Sequence, residues 1–128
     1  MTAVGEGLDA GATKVLSGVD ALVQLLVVRR RVDERDGLTT GTMVSGYPGS
    51  PLAGFDLRLE SLGADLDALG IVHQPGLNEE LALATVWGSQ MGAVVPYRAG
   101  VDGVAGAWYG KVPGLDRSGD ALKHANAL

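Results

Sequence analysis

The 128-residue sequence predicts an α/β fold, a parallel sheet with flanking helices. Three observations carry that prediction. Short, partly β-branched runs bounded by glycine alternate with longer stretches of helical periodicity. Each strand-like run is followed by a helical one, which implies parallel strands joined by right-handed crossovers. The composition, 46% hydrophobic and 20% charged, suits one folded domain with a buried core rather than a disordered chain.

Residues 1–14 are rich in Gly and Ala and are expected to form a flexible N-terminus. The domain proper then spans residues 15–128. Ser17 can cap a helix from about Gly18 to Glu34, with Val19, Leu22, Val23, Leu26 and Val27 forming one apolar stripe. The run "VVRRR" (27–31) reads as the solvated end of this helix, where the dipole favours Arg. "DGLTTG" (36–41) ends it, and "TMVSGY" (42–47) reads as a buried strand.

"PGSP" (48–51) is a turn into a second helix, with Ser50 as N-cap and Pro51 at the first helical position. Phe55, Leu59, Leu62, Leu66 and Leu69 give that helix a continuous apolar face. Gly54 and Gly63 inside it cost roughly 1 kcal/mol each against Ala, which packing must offset. Gly70 is its stop signal.

"IVH" (71–73) is the second strand and "QPGL" (74–77) a loop. The next helix opens at Asn78-Glu79-Glu80, and its Ala82, Ala84, Gly88 and Gly92 would let another segment approach closely. "GVAGAWY" (103–109) is the third strand, "GKVPGLDRSG" (110–119) a loop, and "DALKHANAL" a last helix without a stop signal. Three strands make a small sheet for this architecture. The domain is therefore expected to be truncated at its C-terminus, part of a longer protein.

Charge and composition narrow the function classes. A net charge of −5 argues against nucleic-acid binding. With no cysteine, the chain can hold neither a disulfide nor a cysteine-ligated zinc or iron–sulfur centre, and two histidines are too few for a convincing metal cluster. The N-terminus lacks the pattern of a secretory signal, and no apolar run approaches the roughly 20 residues that span a bilayer. A cytoplasmic protein with no membrane segment is the default expectation.

Ligands of open parallel sheets bind beyond the carboxyl ends of the strands. Three loops leave those ends, and they carry Ser50, Glu79, Glu80, Lys111, Asp116, Arg117 and Asp120. Each has a plain structural reading beside a functional one. "GYPGSPLAG" lacks the spacing of a dinucleotide fingerprint or a P-loop. It is a strand-to-helix turn, and it can also aim a hydroxyl and backbone N–H groups at an anion. "GKVPGLDRSGD" is an exposed polar loop, or one in which Lys111 or Arg117 attracts a carboxylate or phosphate. His73 reads as a strand-end residue rather than a ligand, and Trp87 and Trp108 as core or interface rather than cofactor stackers. Asn78 is an N-cap, and acids in the first turn contribute roughly 0.3–1 kcal/mol through the helix dipole.

In order along the chain, "SGYPGSPLAGFD", "VHQPGLNEELALATVWGSQ" and "DGVAGAWYGKVPGLDRSGDALKHANAL" resemble the N-terminal part of the thiamine diphosphate-dependent 2-oxoacid:ferredoxin oxidoreductases, most closely their fused indolepyruvate type. The similarity runs from about Leu16 to Leu128 and implies a pyrimidine-binding domain. Such domains start a helix with a glutamate followed nine positions on by glycine. Glu79 has Gly88 at that distance, whereas Glu80 has Ser89, so the resemblance gives the catalytic role to Glu79 and leaves Glu80 as surface charge.

The carboxyl would bond the pyrimidine ring nitrogen and favour the imino form, which takes the thiazolium proton. The cofactor supplies the reactivity and the protein tunes it. The "YPGSP" turn is similar to the family's Tyr-Pro-x-Thr/Ser-Pro turn. That places Pro48 and Gly49 by the cofactor and Ser50 by the substrate, with Lys111 and Arg117 as further substrate-side candidates.

The implied reaction is oxidative decarboxylation of an aryl 2-oxoacid to an acyl-CoA, with ferredoxin as electron acceptor. It implies an oligomer too, since thiamine sites form between domains. The Gly-Asp-Gly…Asn signature for Mg²⁺ and diphosphate, and the cysteines for [4Fe-4S] clusters, are not in these 128 residues. Those parts are expected on the remainder of a longer chain, and this piece alone is expected to be inactive. The alternative is a non-catalytic ligand-binding or subunit-interaction module on the same fold.

Overall fold

The structure, a computed structural model, describes residues 15–49, 52 and 54–127. The expected flexible segment 1–14 and the expected cap at Ser50 and Pro51 lie outside the described residues. The protein is α/β, with a small three-stranded parallel sheet and flanking helices. The strands are β1 (Thr40–Gly46), β2 (Ile71–His73) and β3 (Gly103–Tyr109), in the order β2-β1-β3. Thr42 lies opposite Ile71 on one side and Ala105 on the other, and Gly46 opposite Tyr109.

The helices are α1 (Gly18–Arg35), α2 (Phe55–Ser61), α3 (Gly63–Ala68), α4 (Glu79–Ser89), α5 (Val112–Arg117) and α6 (Gly119–Ala125). The Ser17 side chain caps α1 by accepting from the Asp20 N–H. Strand alternation then sends side chains to two faces. Val44, Ile71 and Tyr109 point to α1, α2 and α3, where they form the core with Val23, Val27, Phe55, Leu59 and Leu66. Each such buried side chain contributes about 1.5–3 kcal/mol. Gly106 points the other way, with Val86 of α4 seated over its bare Cα.

Five expectations need correction. The second helix is not continuous: Leu62, at φ −110° and ψ 8°, ends α2 and starts α3. The low helix propensity of Gly63 favours a break there, and the apolar face survives it because Leu59 and Leu66 still reach the same core. That helix begins only at Phe55, with Gly54 in the left-handed region as its N-cap. Residues 110–119 are not a plain loop either, since 112–117 form α5. Pro113 is tolerated in its first turn, where its missing N–H costs nothing.

Arg30 is not solvated. Its side chain is 11% exposed, donates to the Leu69 carbonyl and pairs with Glu34. Finally, the last helix stops short of the chain end, with Asn126 as its C-cap. No helix among the described residues is long and apolar enough to cross a membrane.

Candidate functional site

The three loops that leave the strands do meet. Tyr47 after β1, Leu77 and Asn78 after β2, and Lys111, Pro113, Gly114 and Arg117 after β3 line one cavity with Glu79, of about 320 Å³. Parallel strands impose this, because every strand delivers its following loop to the same edge.

Glu79 is the first residue of α4. Asn78 caps the helix, its side-chain oxygen accepting from the Leu81 N–H at 2.8 Å. The family resemblance chose Glu79 over Glu80 by the distance to Gly88, and the two acids also differ in burial. Glu79 is 6% exposed, while Glu80 faces solvent. The Trp108 indole donates to the Glu79 carbonyl at 3.1 Å, tying the start of α4 to the end of β3. Trp108 itself lies against the bare Cα of Gly110.

Lys111 precedes α5 and Arg117 closes it, so that six-residue helix carries one cation at each end. Among the described residues neither cation makes an ion pair with Glu79. A buried acid and two exposed bases thus share a cavity without neutralising each other at contact distance. Such a cavity can take a ligand with a hydrogen-bonding ring edge on the Glu79 side and an anionic group on the cationic side.

Pro48 and Gly49 stand in the turn after β1. Gly49 needs glycine there, at φ +79°. Of this turn only Tyr47 lines the cavity among the described residues. Ser50 lies outside the described residues.

His73 serves structure, as its place at a strand end implied. Its Nε2 is 3.0 Å from the Tyr109 hydroxyl on the core face of the sheet. Burial lowers the His73 pKa and pushes Tyr109 up to about 12; the Asp56 and Glu60 carboxylates raise both groups, opposing the His73 shift and adding to that of Tyr109. Trp87 stacks on His124 of α6, at 6.0 Å between ring centres. Both tryptophans therefore link elements, as expected of core or interface residues.

A larger groove, of about 530 Å³, lies by the far end of α4, lined by Met43, Val72, Gly88, Met91, Val95 and Tyr97 among others. It carries no carboxylate and no cation, and the Tyr97 hydroxyl already donates to the Ser89 carbonyl. Size alone would favour it; chemistry favours the smaller cavity. The small residues expected to admit a neighbour do so in part: the Gly76 backbone packs on Ala82 and the Tyr97 ring on Gly92, whereas Ala84 and Gly88 stay exposed.

Sequence reading passed over Tyr47 and Gly114. Tyr47 was recoverable as the residue just past a buried parallel strand. Gly114 was not, because nothing local marks its contact with Glu79. Fold and cavity together define an α/β domain with a mixed-charge site at the carboxyl edge of a parallel sheet. Comparison with protein families, with curated proteins and with solved structures found no match.

Proposed function

We propose that this chain supplies the pyrimidine-side carboxyl of a thiamine diphosphate site in a 2-oxoacid:ferredoxin oxidoreductase. One observation carries the reading: Glu79, and not Glu80, is the buried acid facing a cavity at the carboxyl edge of a parallel sheet. The donor set suits the pyrimidine end of the cofactor. It offers one buried carboxyl beside the apolar side chains of Leu77 and Pro113, in a space large enough for one aromatic ring. In this reading the groups that hold Mg²⁺, the diphosphate and the iron–sulfur clusters would lie outside these 128 residues.

When bound, the cofactor supplies the nucleophilic carbon that attacks a 2-oxoacid. Glu79 would hold a ring nitrogen of that group and exchange a proton with it at its carboxyl oxygen. Lys111 and Arg117 would attract the substrate carboxylate, and Leu77 and Pro113 would offer the ring apolar contact. In this reading the reaction is oxidative decarboxylation of an aryl 2-oxoacid to an acyl-CoA, in an oligomer whose electrons go to ferredoxin.

The test is turnover of indolepyruvate by the complete protein carrying Glu79→Gln. A fall of about 10²-fold or more, the usual scale for losing a positioned acid–base group, is expected. Near-normal turnover would refute the assignment. Isothermal calorimetry of the 128 residues alone should show only weak thiamine diphosphate binding.

The apolar groove favours a second reading, in which the fold docks an apolar ligand or subunit and performs no chemistry. Under that reading Met43→Glu abolishes binding of the partner while Glu79→Gln leaves it intact.

A further inference from the structure

We infer that Gly114 is the positioning residue of this site: the bare Cα of α5 is the seat that holds the Glu79 carboxyl in the cavity. A Cβ built on Gly114 would lie 2.7 Å from Glu79 Oε1 and 2.8 Å from its Cδ, and closer still to its Cγ. Real Cβ atoms do not approach heavy atoms so closely. The Glu79 side chain therefore occupies the volume that any other residue at 114 would fill.

The backbone does not require glycine here. Gly114 is not among the glycines of positive φ, it sits inside a helix, and its N–H and C=O are bonded to Lys111 and Ser118. Alanine is the better helix former at such a position. What an added methyl meets is the Glu79 side chain, its Cγ first and then its carboxyl, with no backbone atom among the three nearest, so it is that side chain that must shift. Gly114→Ala should therefore leave the fold intact and displace the carboxyl.

The contact also explains how the site is assembled. The start of α4 is fixed to β3 by the Trp108 indole, and the carboxyl that it carries is fixed by α5. Lys111 immediately precedes the helix that carries the seat and Arg117 closes it, so one short segment bears the seat and both cations. The consequence for turnover rests on the reading of the cavity given above, whereas the seat is a matter of geometry alone.

The experiment has two arms. In the 128-residue chain, carboxyl-labelled glutamate is followed by NMR, with the Glu79 signal assigned by its loss in Glu79→Gln. In Gly114→Ala the melting temperature should be equal or higher, and the Glu79 signal should move while those of Glu34, Glu60 and Glu80 stay. An unmoved Glu79 signal overturns the inference, as does a general shift of all signals. Should Gly114→Ala fail to fold, the double variant Glu79→Ala/Gly114→Ala decides. Recovery of folding supports the contact, and continued failure refutes it.

In the complete protein, Gly114→Ala should lower kcat about a hundredfold, the cost of a roughly 1 Å misplacement, with KM little changed. It should add nothing to the loss in Glu79→Gln, because the two act through one group. An additive loss overturns the positioning role. If the unmodified protein turns over no 2-oxoacid, the reading of the reaction fails and the NMR arm alone decides the seat.

Discussion

The two edges of the sheet each bury a carboxylate, and they treat it in opposite ways. At the amino edge Asp33 is 8% exposed and fully engaged. It accepts from the Thr40 hydroxyl at the start of β1 and pairs with Arg29 one helical turn back. Nearby, the Asp102 carboxylate accepts from the Thr39 N–H at 2.7 Å, and Arg30 caps the Leu69 carbonyl. These groups close backbone or side-chain bonds, although Arg30 Nη1 is buried without a hydrogen-bond partner. At the carboxyl edge Glu79 is 6% exposed and faces a cavity with Lys111 and Arg117, neither in contact with it.

The difference is one of pairing. A buried charge is costly unless paired and hydrogen-bonded. At the amino edge Asp33 meets that cost within the fold through Thr40 and Arg29. At the carboxyl edge, among the described residues, Glu79 makes no ion pair with Lys111 or Arg117.

Substitutions can break or sharpen the contrast. The largest effect is expected from Glu79→Gln, with turnover down about 10²-fold or more while stability changes by no more than about 1 kcal/mol, since only a dipole contact is lost. A large drop in the denaturation midpoint would make Glu79 a structural acid like Asp33 and erase the contrast. Next come Lys111→Ala and Arg117→Ala. Each should raise KM for an anionic 2-oxoacid roughly tenfold, the scale of one charged hydrogen bond, with less effect on kcat. An unchanged KM would make them surface charges.

Asp33→Asn should do the reverse, lowering stability and leaving the site alone. The Thr40 hydroxyl and then Arg29 hold the Asp33 carboxyl below the usual carboxylate range. Its contribution is therefore full above the unfolded value of about 3.9 and is lost as pH falls through the lowered folded value. Urea melts at pH 7 and pH 3 should show a smaller acid loss for Asp33→Asn than for the unmodified chain.

The smallest effect lies between the two edges. Burial lowers the His73 pKa, so protonation favours the unfolded state and stability falls as pH drops below about 6.5. His73→Gln should flatten this slope between about pH 6.5 and the lowered folded value. An unchanged slope would show that the His73–Tyr109 contact does not couple to folding.

Much of this was legible along the chain. The Ser17 and Asn78 caps are local hydrogen bonds between near neighbours, so residue type and spacing suffice to find them. The three strands are short apolar runs bounded by glycine, and parallel order brings their loops together whatever else the chain does. The cavity at the carboxyl edge followed from that rule, and so did the presence there of Glu79, Lys111 and Arg117.

Tertiary structure alone decided the rest. The distance to Gly88 already pointed to Glu79 through the family resemblance, but the burial of Glu79 and the exposure of Glu80 depend on the rotation of α4 against β1 and β3, to which local dipole energies are blind. The break at Leu62 and the helical turn at 112–117 are choices worth only about a kilocalorie per residue, which packing overrides. Asp33 was unmarked because its partner Thr40 belongs to another element, and the contacts of Arg30 with Leu69 and of Gly114 with Glu79 each join residues more than thirty positions apart. Sequence determines what a short stretch can do by itself; which acid is buried, and which glycine seats it, is settled only when distant segments compete for the same volume.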